Sequence, residues 1–538
     1  MAKQLPWWQE GVIYQIYPRS FLDTSGNGIG DLNGIIQKLD YLEDLGVDAI
    51  WLSPVNPSPD VDFGYDVSDY LNIDPKFGTL DDFKKLVRVG EERNIRIVMD
   101  IVLNHSSDQH AWFKKSRSPD ENPYKDWYIW QDPDPRGGAP NNWLSIFGGK
   151  AWEWDEGRGQ YYYHMFYKEQ PDLNWRNPKV RDALLDVFRF WLDLGVKGFR
   201  LDVFNMYFKD EKLRSNPTNP IGLRPFDRQT HQYDVDQPEM AGVLQKIRNV
   251  LDGYEDVYAI GEALFSSPEK SAGYCGTDAL HQTFNFKFMD CSYNPNQFKA
   301  AVQEWETALG EQKWPNYVLN NHDVKRSATR YGIGEDDERQ KVLAALLLSL
   351  RGTPFLYYGE EIGMRESDIK RSEIHDPIGR HYWPLYKGRD GCRTPMQWES
   401  GENGGFSNSM PWLPLHKDYK IRNVENQNEK PNSLLNFYRH MLAIRRETPA
   451  LVSGDITLLE GIPNGILAYR RQTPISEAVV LLNFRKADIR CDISEEKRFF
   501  QKVLSSKDGL FQNQAVSTVH LKPDEALVMT AFHADSKE

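Results

Sequence analysis

VRDALLDVFRFWLDLG at 180–195, followed by GFRLDV at 198–203, decides the fold. The first stretch has the three-to-four-residue apolar spacing of a helix and stops at Gly195; the second is a short apolar run closed by a carboxylate, Asp202. The same order appears at DLNGIIQKLDYLEDLG, where Leu32, Ile35, Ile36, Leu39, Leu42 and Leu45 line one helical face before Gly46 and the run AIWLSP at 49–54. It appears again where LDDFKKLVRVGEERN leads into IRIVMDIVL at 95–103. VIYQIY at 12–17, VYAIGE at 257–262, HQTFNF at 281–286, NYVLNNHD at 316–323 and TPFLYYGEE at 353–361 bring the expected strands to eight. Eight parallel strands alternating with helices predict an α/β fold, a (β/α)8 TIM barrel whose site lies at the C-terminal strand ends.

Two segments break that rhythm. From 105 to 176, after the third strand, the chain is rich in Asp, Pro, Gly and aromatics (DPDPRGGAPNNW, YYYHMF) and too long for a strand-to-helix turn. A loop-rich subdomain inserted there splits the barrel into 1–104 and 177–452. After the helical LLNFYRHMLAIRR, the runs ITLLEG, GILAYRR, AVVLLNF and EALVMTAF carry turn signals and no helical period, predicting an antiparallel β-sandwich domain over 453–538.

Composition narrows the partners. With 538 residues the chain is long enough for a large unit with smaller modules. A net charge of -13 disfavours nucleic acid and anionic membrane, and suits a neutral substrate. The first twenty residues hold no apolar run of signal-peptide length, and no stretch of about eighteen apolar residues occurs, which excludes a helical membrane span. Cys275, Cys291, Cys392 and Cys491 lack CxxC spacing. Reduced thiols and cytoplasmic residence follow as expectations.

The strand ends carry the chemistry. Asp202, Glu262 in AIGE and Asp323 in NNHD each close an apolar run. Cleavage of a glycosidic bond with retention needs one carboxylate to attack and a second carboxyl to protonate the leaving oxygen, about 5–5.5 Å apart. Arg200, two residues before Asp202 and so on the same side of the strand, would keep that carboxylate ionised. Glu262 follows VYAIG, and burial would raise its pKa enough to hold a proton.

DIVLNH at 100–105, GFRLDV, IGEALF and NNHD, in that order, together with QPDLNW at 170–175, FLYYGEEIGM at 355–364 and GCRTPMQW at 391–398, make the chain resemble the α-amylase family of glycoside hydrolases, in its oligo-1,6-glucosidase and α-glucosidase branch. The resemblance spans essentially the whole chain. It implies a retaining, exo-acting glucosidase with Asp202 as nucleophile, Glu262 as general acid/base and Asp323 as transition-state stabiliser. It also implies Arg200, His105 and His322 as groups that hold sugar hydroxyls and orient the carboxylates. For the closed end of the pocket, the resemblance points to Asp66 and Arg393 gripping the non-reducing glucose, with Tyr65 stacked on it and Phe166 as an apolar wall.

DTSGNGIGD at 23–31 resembles the family's calcium loop, with Asp23, Asn27, the Ile29 carbonyl and Asp31 as oxygen ligands of one structural Ca²⁺ or Mg²⁺. Ser25 and Asn27 stand where a commoner version has Asn and Asp, which removes one negative charge. No organic cofactor is expected. Val203, directly after Asp202, leans toward α-1,6 or mixed linkages. The leading reading is a hydrolase acting on short oligosaccharides or disaccharides. Its alternatives are a transglucosylase or sugar isomerase on the same framework and, from another class, a non-catalytic partner protein.

Overall fold

A computed structural model of the chain describes residues 5–222, 224–332, 336–493 and 498–533. Eight parallel strands run Ile13–Ile16, Ala49–Leu52, Arg96–Ile101, Gly198–Leu201, Tyr258–Gly261, Gln282–Thr283, Asn316–Val318 and Thr353–Tyr357. Their ladders join seventh to eighth, eighth to first, and then each strand to the next as far as the sixth. Ile13 sits opposite Ala49, Ala49 opposite Arg96, and Gly198 is shared between Val98 and Tyr258.

The remaining seam, between sixth and seventh strands, is bridged by side chains. Asn316 Nδ2 donates to the Thr283 carbonyl at 2.5 Å, and Gln282 Nε2 to the Pro315 carbonyl at 2.7 Å. The two amides supply donors where strand pairing has ended, and with them the cylinder is complete.

Two elements differ from expectation. The helix expected as one piece over 31–45 is two, Leu32–Gln37 and Leu39–Leu45, divided at Lys38 with φ -104° and ψ 7°. Leu32, Ile35, Leu39, Leu42 and Leu45 stay buried on one side across the break, so burial rather than regular helix geometry sets the path. Gly46 ends the second helix at φ 96°, the left-handed cap its position called for. HQTFNF is extended only at Gln282–Thr283; Asn285 Oδ1 accepts from the Phe288 N–H and starts the helix Phe286–Met289.

Alternate residues of the strands fill the barrel. Ile13, Trp51, Val98, Tyr258, Ile260, Val318 and Phe355 form one apolar cluster. The opposite strand faces pack on helices such as Leu80–Glu91, started by a Thr79/Asp82 capping box, and Pro178–Asp193, capped by Asn177.

Between 105 and 176 lie the helix Ala111–Arg117 and three short antiparallel strands, Trp130–Gln131, Trp152–Asp155 and Gln160–Tyr163. Lys209, fully buried, ties this segment to the loop after the fourth strand through Asp172 at 2.5 Å and Asn104 at 3.1 Å. Beyond the helix Leu434–Glu447, six antiparallel strands form one sheet, and Ile489–Asp492 pairs with Thr518–Leu521 in a second. Cys491, Val519 and Leu521 of the small sheet share an apolar cluster with Val479, Leu481, Leu527 and Met529 of the large one.

Two buried arginines, Arg445 on the helix Leu434–Glu447 and Arg471 on the large sheet, bond to the barrel. Arg445 donates to the carbonyls of Leu348 at 3.1 Å and Gly352 at 2.7 Å, Arg471 to those of Ser349 at 2.7 Å and Gly454 at 2.8 Å. The carbonyls of Leu348 and Ser349 are among those left free where the helix Glu338–Ser349 ends, and that of Gly454 follows the helix Pro449–Ser453.

Candidate active site

The ladder carries the carboxylates into the barrel mouth. Beyond its strand, the Asp202 N–H still donates to the Ile101 carbonyl at 3.1 Å, and the Glu262 N–H to the Leu201 carbonyl at 2.9 Å. Period-two alternation points Asp100, Arg200, Asp202 and Glu262 inward. Gly261 makes room: a Cβ there would lie 2.4 Å from the Phe204 ring.

One guanidinium serves three carboxylates. Arg200 Nη1 donates to Asp100 at 2.9 Å and to Asp202 at 2.7 Å, and Nη2 to Glu262 at 2.5 Å. Asp100 also accepts from the Tyr65 hydroxyl at 3.0 Å and Trp51 Nε1 at 3.2 Å. Arg200 was expected to favour Asp202; it is shared almost evenly. Burial raises the pKa of all three carboxylates, most strongly that of Asp202, and Arg200 opposes it; neighbouring carboxylates raise it further, Glu262 and Asp100 at Asp202, Asp323 and Asp100 at Glu262. Three buried carboxylates around one fixed positive charge thus titrate as one coupled group, each held above the usual carboxylate range.

Asp323 is different. Its side chain is 34% exposed and accepts from Arg393 Nη2 at 2.8 Å and Arg389 Nη1 at 3.3 Å. Burial pushes its pKa up, but His322 and the two arginines outweigh that and hold it below the usual carboxylate range.

His322 and His105 are both buried and neutral. His322 Nδ1 meets Gln15 Nε2 at 2.8 Å and Nε2 the Tyr65 hydroxyl at 2.6 Å; burial drives its pKa down to about 3. With Gln15 donating to Nδ1, the proton sits on Nε2 and is donated to the Tyr65 hydroxyl, which in turn donates its hydrogen bond to Asp100. His105 Nε2 donates to the Tyr65 carbonyl at 2.9 Å, its ring lies 5.0 Å from Phe166, and burial lowers its pKa to about 4. The Tyr65 ring stacks on His322 at 5.3 Å.

Asp66 and Arg393 do not form the expected pair. Asp66 is wholly buried and accepts from Ser58 Oγ at 2.7 Å and the N–H groups of Val61 and Asp62 at 3.0 and 3.1 Å, so it closes a turn. Arg393 turns instead to Asp323 and to the His322 carbonyl at 2.8 Å. The Asp–Arg pair at the mouth is Asp62 with Arg389, at 2.7 Å, and Arg389 is steadied by Asp376 at 3.0 Å. Each true partner lies four residues before the expected one, in VDFGYD and in GRDGCR. Nothing in spacing separates Asp62 from Asp66 or Arg389 from Arg393. Asp100 and Gln15 were missed too, although both sit at inward-facing strand positions that the alternation could have marked.

In the loop 23–31, Asp23 accepts from the N–H groups of Ser25, Gly26 and Gly28 and from Ser407 Oγ, and Asp31 from those of Thr24, Ser25 and Gly34. Asn27 Oδ1 accepts from the Ile29 N–H at 2.8 Å. Oxygen atoms at alternating positions suit a hard cation by type. Here they already hold protons of the loop, which an ion would have to displace. No group of three or more His, Cys, Asp or Glu poised for a metal occurs among the described residues. At the opposite end of the barrel a cavity of about 730 Å³, lined by Trp7, Glu10, Asp48, Arg96 and Arg445, holds none of the catalytic candidates.

The barrel mouth thus gathers a carboxylate cluster on one shared guanidinium, a further carboxylate, Asp323, between two arginines, and two neutral histidines. The chain belongs to the alpha-amylase family: residues 15–454 match the alpha amylase catalytic domain. It is 46% identical over 469 residues to a probable alpha-glucosidase of Rhizobium meliloti (strain 1021), covering 84% of this chain and 85% of that one. It is 38% identical to an oligo-1,6-glucosidase of Parageobacillus thermoglucosidasius over 97% of this chain and 98% of that one. The crystal structure of an alpha-glucosyl transfer enzyme, 40% identical, superposes with a TM-score of 0.91 and covers 98% of this chain and all of that one (100%).

Proposed function

We propose that the chain is a retaining, exo-acting α-glucosidase that removes terminal α-linked glucose from disaccharides and short oligosaccharides. One observation carries this most: Asp202 and Glu262 hang on the two terminal nitrogens of a single Arg200 guanidinium, with Asp323 beside them in the same mouth. That closeness suits double displacement, which needs about 5–5.5 Å between carboxyl groups, rather than the ~6.5–9.5 Å of an inverting pair.

Asp202, ionised, attacks the anomeric carbon while Glu262, protonated, gives its proton to the departing oxygen. The glycosyl–Asp202 ester forms as the glycosidic C–O bond breaks. Glu262, now ionised, takes a proton from water, whose oxygen attacks the same carbon and frees Asp202. Asp323, kept ionised by Arg389 and Arg393, offers negative charge to the oxocarbenium-like transition state. His105 and His322, neutral, hydrogen-bond sugar hydroxyls, and Tyr65 and Phe166 wall the ring. Asp62 and Arg389 grip the non-reducing glucose and close the pocket, which makes the action exo.

Transfer to a second sugar in place of water is the alternative that the relation to an alpha-glucosyl transfer enzyme favours. NMR of products from maltose, isomaltose, sucrose and trehalose tests both readings. Release of α-glucose first is expected; β-glucose first would reject retention, and longer oligosaccharides from maltose, or fructose released from sucrose without an equal amount of free glucose, would select transfer.

The loop with Asp23, Asn27, the Ile29 carbonyl and Asp31 would hold a Ca²⁺ or Mg²⁺ weakly and for stability alone, since it lies apart from the carboxylates. Metal content and the Tm with and without chelator test this; metal-free protein with an unchanged Tm removes the site. Cytoplasmic residence is proposed from four free, buried cysteines, tested by cell fractionation. No helix among the described residues is long and apolar enough to cross a membrane.

A further inference from the structure

Phe265 breaks two rules at once. It is 53% exposed, and its φ of 61° lies in the left-handed region that a bulky side chain rarely adopts. It sits three residues after Glu262, and the loop is clamped from both flanks. Asn205, three residues after Asp202, donates from Nδ2 to the Leu264 carbonyl at 2.8 Å and accepts from the Leu264 N–H at 3.2 Å. Asn205 Nδ2 also reaches Asp236 at 3.1 Å; Asp236 in turn accepts from Ser266 Oγ and the Tyr274 hydroxyl, both at 2.7 Å. Five hydrogen bonds through Asn205, Asp236 and Tyr274 thus hold a strained backbone that turns an aromatic ring outward.

The ring is not alone. Phe226 and His231, from the long segment after the fourth strand, stack with centroids 3.8 Å apart, and Phe265 lies 5.3 Å from Phe226 and 6.0 Å from His231. Asp234 anchors the imidazole at 3.0 Å; burial pulls the His231 pKa down, but that carboxylate outweighs it and raises it above its ordinary value. Phe226 shares an apolar cluster with Val203, directly after Asp202, and with Phe166. An apolar cluster therefore connects the residue after the nucleophile, Val203, to Phe226, on which the exposed ring rests.

We propose that Phe265, backed by His231 and Phe226, is a stacking platform for the ring attached to the scissile oxygen, taking flat ring faces, sugar or aryl. The proposal rests on the glucosidase reading and deepens it by assigning the aglycone side. A platform built on strain also explains why the loop tolerates φ 61° at a side chain with little burial of its own: the contact it serves is made only with substrate bound.

Three substrates with the same glucose test it. Maltose and p-nitrophenyl α-glucoside extend a second ring over the platform; α-glucosyl fluoride has a one-atom leaving group that reaches none of it. Phe265→Ala, and Phe265→Asn as a ring-free variant suited to positive φ, should lower kcat/KM for maltose or the aryl glucoside relative to the fluoride by roughly 3- to 10-fold, the size of one aromatic stacking contact. Phe265→Tyr should restore the ratio. Which of the two ringed substrates responds identifies the face preferred. A ratio constant within twofold, or a parallel loss on all three substrates, overturns the platform. No cleavage of glucosyl fluoride by the unsubstituted chain overturns the glucosidase reading itself, and the platform with it.

Discussion

Asp62 and Arg389, 327 residues apart in the chain, meet at 2.7 Å, and Arg389 reaches Asp323 with its other terminal nitrogen at 3.3 Å. The ion pair thereby joins the closed end of the pocket to the one carboxylate that stays exposed. Asp376 holds the same guanidinium on its far side, so its orientation is set before any sugar arrives.

Asp62→Ala and Arg389→Ala should each lower kcat/KM on disaccharides by about 30- to 1000-fold, the loss of a desolvated charged contact of about 2–4 kcal/mol. Asp66→Ala should act first on stability, by about 1–3 kcal/mol, because it strands the donors of Ser58, Val61 and Asp62. Kinetics and thermal melts on the three variants check this. A catalytic collapse confined to Asp66→Ala would restore the pairing expected from sequence.

Asp202→Asn keeps the shape and removes the attacking charge; turnover should vanish while a Tm shift on adding glucose persists. Glu262→Gln should lose far more on maltose than on p-nitrophenyl α-glucoside, whose leaving oxygen needs little protonation. Equal losses on the two substrates would take the acid role away from Glu262.

His322 is held near pKa 3 in the fold against about 6.5 when unfolded. The unfolded chain therefore binds the extra proton between those values, and His322 contributes stability that is complete above pH 6.5 and lost as pH falls toward 3. Asp66, raised to about 6, and Glu360, raised to about 7, act in the opposite sense, losing their contribution as pH rises through those values. A comparison of variants isolates the histidine: in His322→Gln the slope of unfolding free energy against pH between 4 and 6 should fall by about one proton, about 1.4 kcal/mol per pH unit. Superimposable slopes would mean that His322 is charged in the folded protein.

Val203 lies between nucleophile and platform, buried, with φ 34° and its N–H turned to the Glu262 carboxylate. Val203→Thr retains the β-branch, so the backbone strain is unchanged and only a hydroxyl is added. The ratio of kcat/KM for maltose over isomaltose should rise by up to about tenfold, about one hydrogen bond. A constant ratio, or one moving toward isomaltose, would place linkage choice in the loops after Met206.

The barrel was legible in the sequence because its signals are local. Apolar spacing of three and four, glycine stops such as Gly46, and runs closed by Asp202, Glu262 and Asp323 each need only a few neighbouring residues. Alternation along a single strand also placed Arg200 beside Asp202. What alternation along one strand leaves open is how many other strands point a charge at the same spot, and so the sharing of Arg200 among three carboxylates stayed hidden. The break at Lys38 and the two-residue sixth strand were hidden for a related reason: a buried face tolerates irregular backbone, and the side-chain amides of Gln282 and Asn316 replace the missing ladder.

The closed end of the pocket could be decided only in three dimensions. The resemblance pointed to Asp66 and Arg393, and each stands four residues after a chemically identical residue, Asp62 and Arg389. The tertiary structure chose, because Asp66 is consumed by the N–H groups of its own turn and Arg393 by Asp323 and a carbonyl, which leaves Asp62 and Arg389 to face each other. Residue type and period act over a few residues and determined the barrel and its carboxylates; which charge meets which depends on loops far apart in the chain converging at one mouth.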